Sequence, residues 1–213
     1  MIPSKEEMYK ALVQRQGKKL TECLNKSCVA ICGLGGLGSN IAICLARTGI
    51  GKLILIDFDS VDVTNLNRQQ YRAMQVGLSK TIALEQELKE IAPYVELEKH
   101  CVKMTEENVC ELVKEADVIC EAFDNAESKA MLVNKVLEEF PEKYIVAGSG
   151  MAGLGSTEEL CIKHAIKHLY VCGDGKSDVA TNGNLVASRV MACAGMQAHT
   201  VIRILADKIK EEG

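Results

Sequence analysis

The sequence contains no tryptophan, only three prolines and 4% aromatic residues. It also lacks a run of about 18 apolar residues, the length that a membrane-spanning helix requires. The segment from Met1 to Lys19 is polar and charged, without the apolar core of a secretory signal peptide. These absences predict a cytoplasmic protein without membrane contact.

No Cys-x-x-Cys pair occurs among the ten cysteines, and the closest two are Cys28 and Cys32. Structural zinc sites usually draw on such close pairs, so we expect no zinc. Most of the cysteines lie in apolar runs, and disulfide frameworks belong mainly to short secreted chains. We therefore expect reduced, buried thiols.

The chain also has no excess of positive charge. Its 213 residues have a net charge of −4 and a pI near 5.7, whereas nucleic-acid-binding domains usually have a basic surface. Nucleic acid is therefore not an expected partner. The length fits one domain over residues 1–213, with an N-terminal helical arm at 1–20 and a C-terminal hairpin, loop and helix at 156–213.

Apolar runs alternate with helical patterns along most of the chain. We predict strands at 27–32, 52–56, 95–102, 117–123 and 144–147, and helices at 4–16, 39–48, 79–92, 105–116 and 125–140. This alternation predicts a Rossmann-like α/β fold, with a mainly parallel sheet and helices on both faces. Residues 159–163 and 166–172 then predict an antiparallel hairpin, followed by a loop at 173–183. A long helix at 185–209 is apolar nearly all round, which predicts deep burial or a dimer interface.

A glycine-rich turn follows the first predicted strand and opens the next helix. It contains Gly33, Gly35, Gly36 and Gly38 in the pattern G-x-G-x-x-G. Glycine lets the backbone approach a phosphate closely, and the start of the helix supplies amide donors. Asp57 ends the next strand, where an acid can bind ribose hydroxyls. Sites for NAD, FAD, S-adenosylmethionine and ATP can all begin in this way.

Three polar residues after the second strand favour ATP. Asn65 and Arg68 lie in a polar loop near the carboxyl end of that strand, and Lys80 begins a helix, where a positive charge is unfavourable to the helix dipole. Attack on the α-phosphorus of a triphosphate adds charge to the leaving pyrophosphate, which Arg, Lys and Mg²⁺ stabilise. Taken singly, Arg68 and Lys80 are equally consistent with surface charges, and Asn65 with a turn residue.

Asp124 and Asn125 end the fourth predicted strand. Asp124 either caps the following helix or binds Mg²⁺, which prefers carboxylate oxygens. The two roles are compatible with each other.

These residues together resemble a known motif series. The segments are GLGGLGS at 33–39, LILIDFDSVDVTNLNRQ at 53–69, Gly77-x-x-Lys80 and Asp124-Asn125. They resemble the ubiquitin-activating-enzyme-like superfamily, whose bacterial members include ThiF, MoeB and the tRNA threonylcarbamoyladenosine dehydratases. The similarity covers residues 15–205 and is greatest to the short ThiF form of thiamine biosynthesis.

The resemblance implies a function and a set of site residues. The function is ATP-dependent adenylylation of the C-terminal glycine carboxylate of a ThiS-like sulfur carrier, by a homodimer with Mg²⁺. The implied residues are Gly33, Gly35, Gly36 and Gly38 at the phosphates, Asp57 on the ribose with Asp59 beside it, Asn65, Arg68 and Lys80 on phosphates, Asp124 on Mg²⁺, and Arg15 lent to the partner's site. Arg68, Lys80 and Asp124 would be the catalytic residues.

The sequence departs from ThiF and MoeB at two points. It lacks their paired zinc-ligand cysteines, and it is shorter at the C-terminal end. A catalytic cysteine is therefore not assigned, although Cys172, beside Gly173, is the least core-like candidate. Three other functions stay open: an NAD-dependent oxidoreductase, a non-catalytic nucleotide-binding module and an ATP-dependent tRNA-base dehydratase.

Overall fold

A computed structural model describes residues 2–211, so Met1 and residues 212–213 of the predicted terminal segments lie outside the described part. Within it, seven strands form one sheet in the order β3-β2-β1-β4-β5-β7-β6. The strands are β1 Cys28–Cys32, β2 Lys52–Ile56, β3 Glu96–His100, β4 Val118–Glu121, β5 Tyr144–Gly148, β6 Cys161–Ile166 and β7 Leu169–Gly173. Only β6 is antiparallel to its neighbour, so the predicted Rossmann-like sheet with a C-terminal hairpin is confirmed.

Helices cover both faces of the sheet. They are α1 Lys5–Gln16, α2 Lys18–Lys26, α3 Gly36–Arg47, α4 Lys80–Ile91, α5 Val109–Val113, α6 Ala126–Glu139, α7 Val179–Asn182 and α8 Ala187–Glu211. Alternate residues of β1 face opposite sides, as the pleat of a strand requires. Val29 and Ile31 join the core under α3, α4 and α8, whereas Ala30 and Cys32 join the core under α5 and α6.

The terminal helix α8 has one buried face. Val190, Ala194, Val201 and Leu205 are buried at helical spacing, and α8 packs mainly against α3, α2 and β5. Met191 on the other side is 43% exposed. The deep burial predicted for this helix is therefore confirmed for one face of α8, which forms a large part of the core, and the dimer interface stays a prediction. No helix within residues 2–211 is both long and apolar enough to cross a bilayer.

Two helices differ from the predictions, one because of local hydrogen bonds and one because of tertiary packing. The helix predicted at 105–116 is only Val109–Val113, because the Asn108 side chain accepts from the Thr105 amide at 2.8 Å and donates to the Lys103 carbonyl at 3.0 Å. Helix α2 was not predicted. It is held by packing against α8, where the Cys23 thiol contacts the Leu205 carbonyl at 3.2 Å.

The remaining differences are small shifts of element ends. Helix α3 begins at Gly36, inside the glycine-rich turn, and the predicted loop at 173–183 contains the single turn α7. The polar segment 60–77 contains two short 3₁₀ helices, Val63–Asn65 and Ala73–Gln75, and a third lies at Thr157–Glu159. The first hairpin strand runs Cys161–Ile166 instead of 159–163.

Candidate functional site

The carboxyl ends of three neighbouring strands meet at one edge of the sheet. The Gly33 amide donates to the Ile56 carbonyl at 2.9 Å, and the Ala122 amide donates to the Cys32 carbonyl at 2.9 Å. These bonds join the ends of β1, β2 and β4. The glycine turn, Asp57 and Asp124 therefore begin at the same edge, which is where open α/β sheets bind ligands.

The glycine turn needs glycine at its two ends and leaves space in its middle. Gly33 has a φ of +91°, and a Cβ at Gly38 would lie 1.8 Å from the Gly33 carbonyl oxygen. At Gly35 the nearest atom to such a Cβ would be 3.9 Å away. Gly35 is also the N-cap of α3 and has no side chain to cap it. The first amides of α3 thus lack intrahelical partners next to open space, which favours an anion.

The Asp57 carboxylate holds this turn in place. Its Oδ2 accepts from the Leu34 amide at 2.6 Å, and its Oδ1 accepts from the Asp59 amide at 2.8 Å. On the other side of the turn, the Tyr71 hydroxyl donates to the Leu34 carbonyl at 2.7 Å. Burial raises the pKa of Asp57, while Lys80 and the two amides oppose that rise. Asp57 therefore has a structural role that the sequence did not indicate.

Lys80 lies against the same carboxylates. Its Nζ is 2.8 Å from Asp59 Oδ2 and 3.9 Å from Asp57 Oδ2, and its side chain is 8% exposed. The alternative of an ordinary surface lysine is therefore wrong. Asp57 contacts the glycine turn directly, so this one residue connects the Lys80 ammonium to the turn.

Arg68 contacts the glycine turn with its aliphatic part. A Cβ at Gly36 would lie 3.4 Å from Arg68 Cγ, but the guanidinium donates to the Thr64 carbonyl at 3.0 Å and to Asn67 Oδ1 at 2.8 Å. Asn65 has a turn role, because its Oδ1 accepts from the Asp62 amide at 3.1 Å. Arg68 also borders an open pocket of about 540 Å³, whose other residues are Asn67, Val179, Asn184, Leu185, Val186 and Ala187.

Asp124 is exposed at the end of β4. Its Oδ1 accepts from Asn125 Nδ2 at 3.4 Å, and Asn125, not Asp124, caps α6 by accepting from the Ser128 amide at 2.8 Å. The predicted cap role of Asp124 is therefore wrong, because the helix begins one residue later. The Asp124 carboxylate points to solvent at the ligand-binding edge and is available to a cation.

A buried ion pair near Asp124 was not predicted. Glu121 is buried, and Lys129 Nζ lies 3.0 Å from both of its carboxylate oxygens. Lys129 also donates to the Gly148 carbonyl at 2.9 Å, and Glu121 accepts from the Phe123 amide at 2.7 Å. The pair thus links the end of β4 to the end of β5. Burial raises the pKa of Glu121, and Lys129 opposes this shift.

Arg15 lies far from the glycine turn of its own chain. It is exposed on α1, whose Gln16 donates to the Thr48 carbonyl at 3.0 Å, at the C-terminal end of α3. The 12 residues of α3 separate this end from the glycine turn. At the usual rise, that is a distance of about 18 Å. The structure therefore brings Lys80, Asp57, Asp59 and the stem of Arg68 to the turn, but not Arg15.

The glycine turn, Asp57, Asp59 and Lys80 thus form one site, and the sequence around them matches one protein family. The ThiF family matches residues 9–213. The chain belongs to the ThiF family. The Anopheles gambiae adenylyltransferase and sulfurtransferase MOCS3 is 34% identical over 129 residues, which are 60% of this chain and 29% of that protein. The Gallus gallus ubiquitin-like modifier-activating enzyme 5 is 36% identical over 132 residues, 56% of this chain and 33% of that protein.

The matched segments thus span about a third of these curated relatives. Among solved structures, the chain is similar to the E. coli tRNA N6-threonylcarbamoyladenosine dehydratase TcdA in complex with ATP. That similarity has a TM-score of 0.88 at 20% identity and covers 100% of both chains. At this identity it shows a shared fold.

The ThiF-family chain has a second pocket at the same edge, between the loops after β5 and β7. It has a volume of about 240 Å³ and is lined by residues 152–155, Glu159, Asp174, Lys176, Ser177, Asn182 and Arg189. Arg189 and Asp174 form a buried ion pair at 2.7 Å, and Arg189 also donates to the Gly155 and Ser156 carbonyls. One side chain of α8 therefore joins the two loops that form this pocket.

The position of Cys172 does not suit a nucleophile. It lies at the end of β7, its side chain is fully buried, and burial raises the pKa of its thiol to about 11. A thiol must ionise to attack, so this environment opposes catalysis at neutral pH. The description of Cys172 as the least core-like cysteine is therefore wrong, because it packs against α8 in the core.

Proposed function

We propose that this ThiF-family chain uses ATP and Mg²⁺ to adenylylate the C-terminal glycine carboxylate of a small ubiquitin-like sulfur carrier, and that it releases pyrophosphate. One observation carries the proposal. The buried Lys80 ammonium lies beside the acids that hold the glycine turn, so a fixed cation and free helix amides share one edge of the sheet. Polyphosphate transfer needs this combination of charges.

The cations favour ATP over NAD. Hydride transfer between a nicotinamide and a substrate creates no phosphate charge to stabilise, and the ribose acid with the glycine turn would suffice for binding. Asp59, at 2.8 Å, and Asp57, at 3.9 Å, hold the buried Lys80 ammonium at this edge, where an anionic ligand can approach it. Arg68 would join it by exchanging its bonds to Thr64 and Asn67 for phosphate oxygens.

Asp124 fits a magnesium ion held mainly by the nucleotide. Among residues 2–207, no three His, Cys, Asp or Glu side chains are grouped to hold a metal by themselves. Mg²⁺ usually keeps several waters and binds through one or two carboxylates plus substrate phosphates, so a single exposed carboxylate meets its needs. When bound, the ion would neutralise phosphate charge at the transferring group.

The reaction itself is a direct displacement. A carboxylate oxygen of the carrier attacks the α-phosphorus, a new P–O bond forms, and the bond to the pyrophosphate oxygen breaks. Lys80 and Arg68 offset the charge that develops on the phosphates. No enzyme nucleophile is needed, which is compatible with the burial of Cys172. Positioning and electrostatics supply the catalysis.

The loops after β5 and β7 offer a route for an extended carrier tail. They lie at the carboxyl edge of the sheet, contain the glycines of GSGMAGLG at 148–155, and enclose the pocket at Asp174 and Arg189. The last two residues of a tail that ends in Gly-Gly have no side chains, so this end of the tail can follow a narrow path. The names of the MOCS3 and ubiquitin-like modifier-activating relatives support a carrier of this class.

A homodimer completes the proposal. Arg15 is exposed on α1, which contacts the C-terminal end of α3, and α3 is about 18 Å long. This position, away from the glycine turn of its own chain, leaves Arg15 available to another copy of the chain. We propose that each subunit lends Arg15 to the nucleotide site of its partner.

Exchange of labelled pyrophosphate into ATP tests the proposal. Purified chain is assayed with a ubiquitin-like carrier that ends in Gly-Gly, and a carrier whose last glycine is removed is the matched control. Exchange is expected only with the intact tail, because the carboxylate is the nucleophile. Exchange without any carrier, or none with every carrier tested, would overturn it.

Three further arms separate the alternatives. Tight NADH binding without ATP binding would assign an oxidoreductase. ATP turnover that depends on tRNA with threonylcarbamoyladenosine, and not on a carrier, would assign a dehydratase. ATP binding without exchange or turnover in any mixture would leave a non-catalytic module.

A further inference from the structure

Gln69, the residue after Arg68, is a buried residue whose side-chain oxygen has no hydrogen-bond partner. The residue is 8% exposed, and its Oε1 is buried without a hydrogen-bond partner. Within the described residues, its Nε2 also makes no hydrogen bond. A buried polar group without a partner costs about 1–3 kcal/mol, so such a side chain needs an explanation.

The free carboxamide faces the glycine turn. If a Cβ were added at Gly35, Gln69 Nε2 would be the nearest atom, at 3.9 Å, and no other atom would lie within 4 Å. Gly35 is the N-cap of α3. The open space at the start of the helix therefore has Gln69 as its nearest side chain.

The position of Gln69 is fixed by its neighbours. Asn40 donates to the Arg68 carbonyl at 3.1 Å, and the Gln70 amide donates to Ser39 Oγ at 3.2 Å. Both partners lie in the first turns of α3, so the backbone on each side of Gln69 is bonded to the helix that begins at the glycine turn. The backbone at Gln69 is thus held against the start of α3.

We infer that Gln69 is a further phosphate-binding residue, whose Nε2 donates to a phosphate oxygen of the nucleotide at Gly35. This rests on the proposed nucleotide-binding function. A phosphate is the ligand because an uncapped helix start provides amide donors and a positive dipole end at that point. The neutral amide adds a donor without adding a positive charge, and a phosphate oxygen would give Nε2 an acceptor that the fold itself does not supply.

Gln75 provides a matched control. It is 3% exposed, and its Nε2 donates to the Ala83 carbonyl at 3.1 Å and to Gln86 Oε1 at 3.0 Å, away from the glycine turn. Both glutamines are buried, but only the Gln75 amide is hydrogen-bonded to other residues among those described. Gln69→Leu and Gln75→Leu are compared by thermal unfolding without ligand and by calorimetric titration with AMP, ATP and adenosine.

Opposite effects are expected from the two variants. Gln69→Leu should keep or raise the Tm of the free protein and weaken AMP and ATP about 10-fold or more, the range for a hydrogen bond to a charged group. It should leave adenosine affinity unchanged. Gln75→Leu should lower the Tm and leave AMP and ATP affinity unchanged. Gln69→Glu, which is similar in size but negatively charged, should weaken AMP and ATP further.

The outcomes separate this inference from the proposed function. If the wild-type protein binds ATP and Gln69→Leu binds AMP and ATP equally well, the phosphate role of Gln69 is wrong and the proposed function stands. The same conclusion follows if Gln69→Leu weakens adenosine as much as AMP, or lowers the Tm as Gln75→Leu does. If the wild-type protein binds neither AMP nor ATP, the proposed function itself fails.

Discussion

The ammonium of Lys80 and the carboxylate of Asp59 lie 2.8 Å apart, yet the Lys80 side chain is 8% exposed and that of Asp59 is 47% exposed. The Lys80 side chain is therefore buried in the fold, whereas its partner Asp59 is about half exposed to solvent. A phosphate that arrives from the solvent side can approach the same ammonium. On the other side, the buried Asp57 carboxylate lies 3.9 Å from the same ammonium.

Replacing Lys80 tests this arrangement directly. Lys80→Met should lower the rate of carrier-dependent pyrophosphate exchange about 100-fold or more, as the loss of a charge-stabilising group usually does. It should also lower the Tm, because Asp57 would keep a buried charge without its cation. Lys89→Met on the same helix is the control, since Lys89 is exposed and pairs only with Glu85. An exchange rate equal to wild type in Lys80→Met would exclude the catalytic role.

The glycine turn gives a second prediction, in which two glycines differ. A Cβ at Gly38 would lie 1.8 Å from the Gly33 carbonyl oxygen, so Gly38→Ala should lower both the Tm and ATP affinity. A Cβ at Gly35 would meet no atom closer than 3.9 Å, so Gly35→Ala should fold normally and bind ATP more weakly, because its methyl group enters the ligand space. Calorimetry and thermal unfolding measure both. Unchanged ATP affinity in Gly35→Ala would show that the nucleotide lies elsewhere.

The arrangement of the sheet could be predicted from the sequence because its signals are local. The apolar run Lys52–Ile56 lies between Gly51 and Asp57, and both its ends were predicted as the structure has them. Helix α2 had a usable signal as well, since Leu20 and Leu24 have the spacing of a helical face. The start of α5 had none, because it depends on the hydrogen bonds of the Asn108 side chain.

The contacts inside the site could not be predicted, because they join residues far apart in sequence. Asp57 binds the amide of Leu34, which precedes it by 23 residues, and Arg189 pairs with Asp174 across two loops. Motif spacing places such residues at one edge of the sheet but does not show which carboxylate accepts which amide. The missing hydrogen-bond partner of Gln69 could not be predicted either, because it depends on how the neighbouring side chains pack.

The position of Arg15 predicts complementation between subunits. Arg15→Ala and Lys80→Met should each lose exchange activity as pure homodimers. When the two variants are mixed and allowed to exchange subunits, about a quarter of wild-type activity should return if exchange is random. The reason is that one site in each mixed dimer has both Lys80 and the other subunit's Arg15. Size-exclusion chromatography checks that dimers form, and a mixture without any gain in activity would place Arg15 outside the site.

The Arg189–Asp174 pair predicts a pH dependence of stability. Burial opposes the ionisation of Asp174, but the amides of Ser177 and Lys176 and the Arg189 guanidinium outweigh it and hold the pKa of Asp174 well below its ordinary value of 3.8. The unfolded chain therefore takes up a proton at Asp174 before the folded chain does. Its contribution to stability is complete above pH 3.8 and is lost as the pH falls below that value.

Denaturant unfolding between pH 7 and pH 2.5 measures this contribution. Asp174→Asn should be less stable than wild type at pH 7, by about 3–5 kcal/mol, because Arg189 would keep a buried charge without a partner. The difference should shrink as the pH falls below 3.8. In Asp174→Asn/Arg189→Met, which removes both charges, the stability loss at pH 7 should be smaller than in the single variant, since no buried charge remains unpaired. The contradicting result is a difference in unfolding free energy between wild type and Asp174→Asn that stays constant from pH 7 to pH 2.5. It would show that Asp174 titrates alike in the folded and unfolded chains. The ion pair would then have no role in holding the two loops of the pocket.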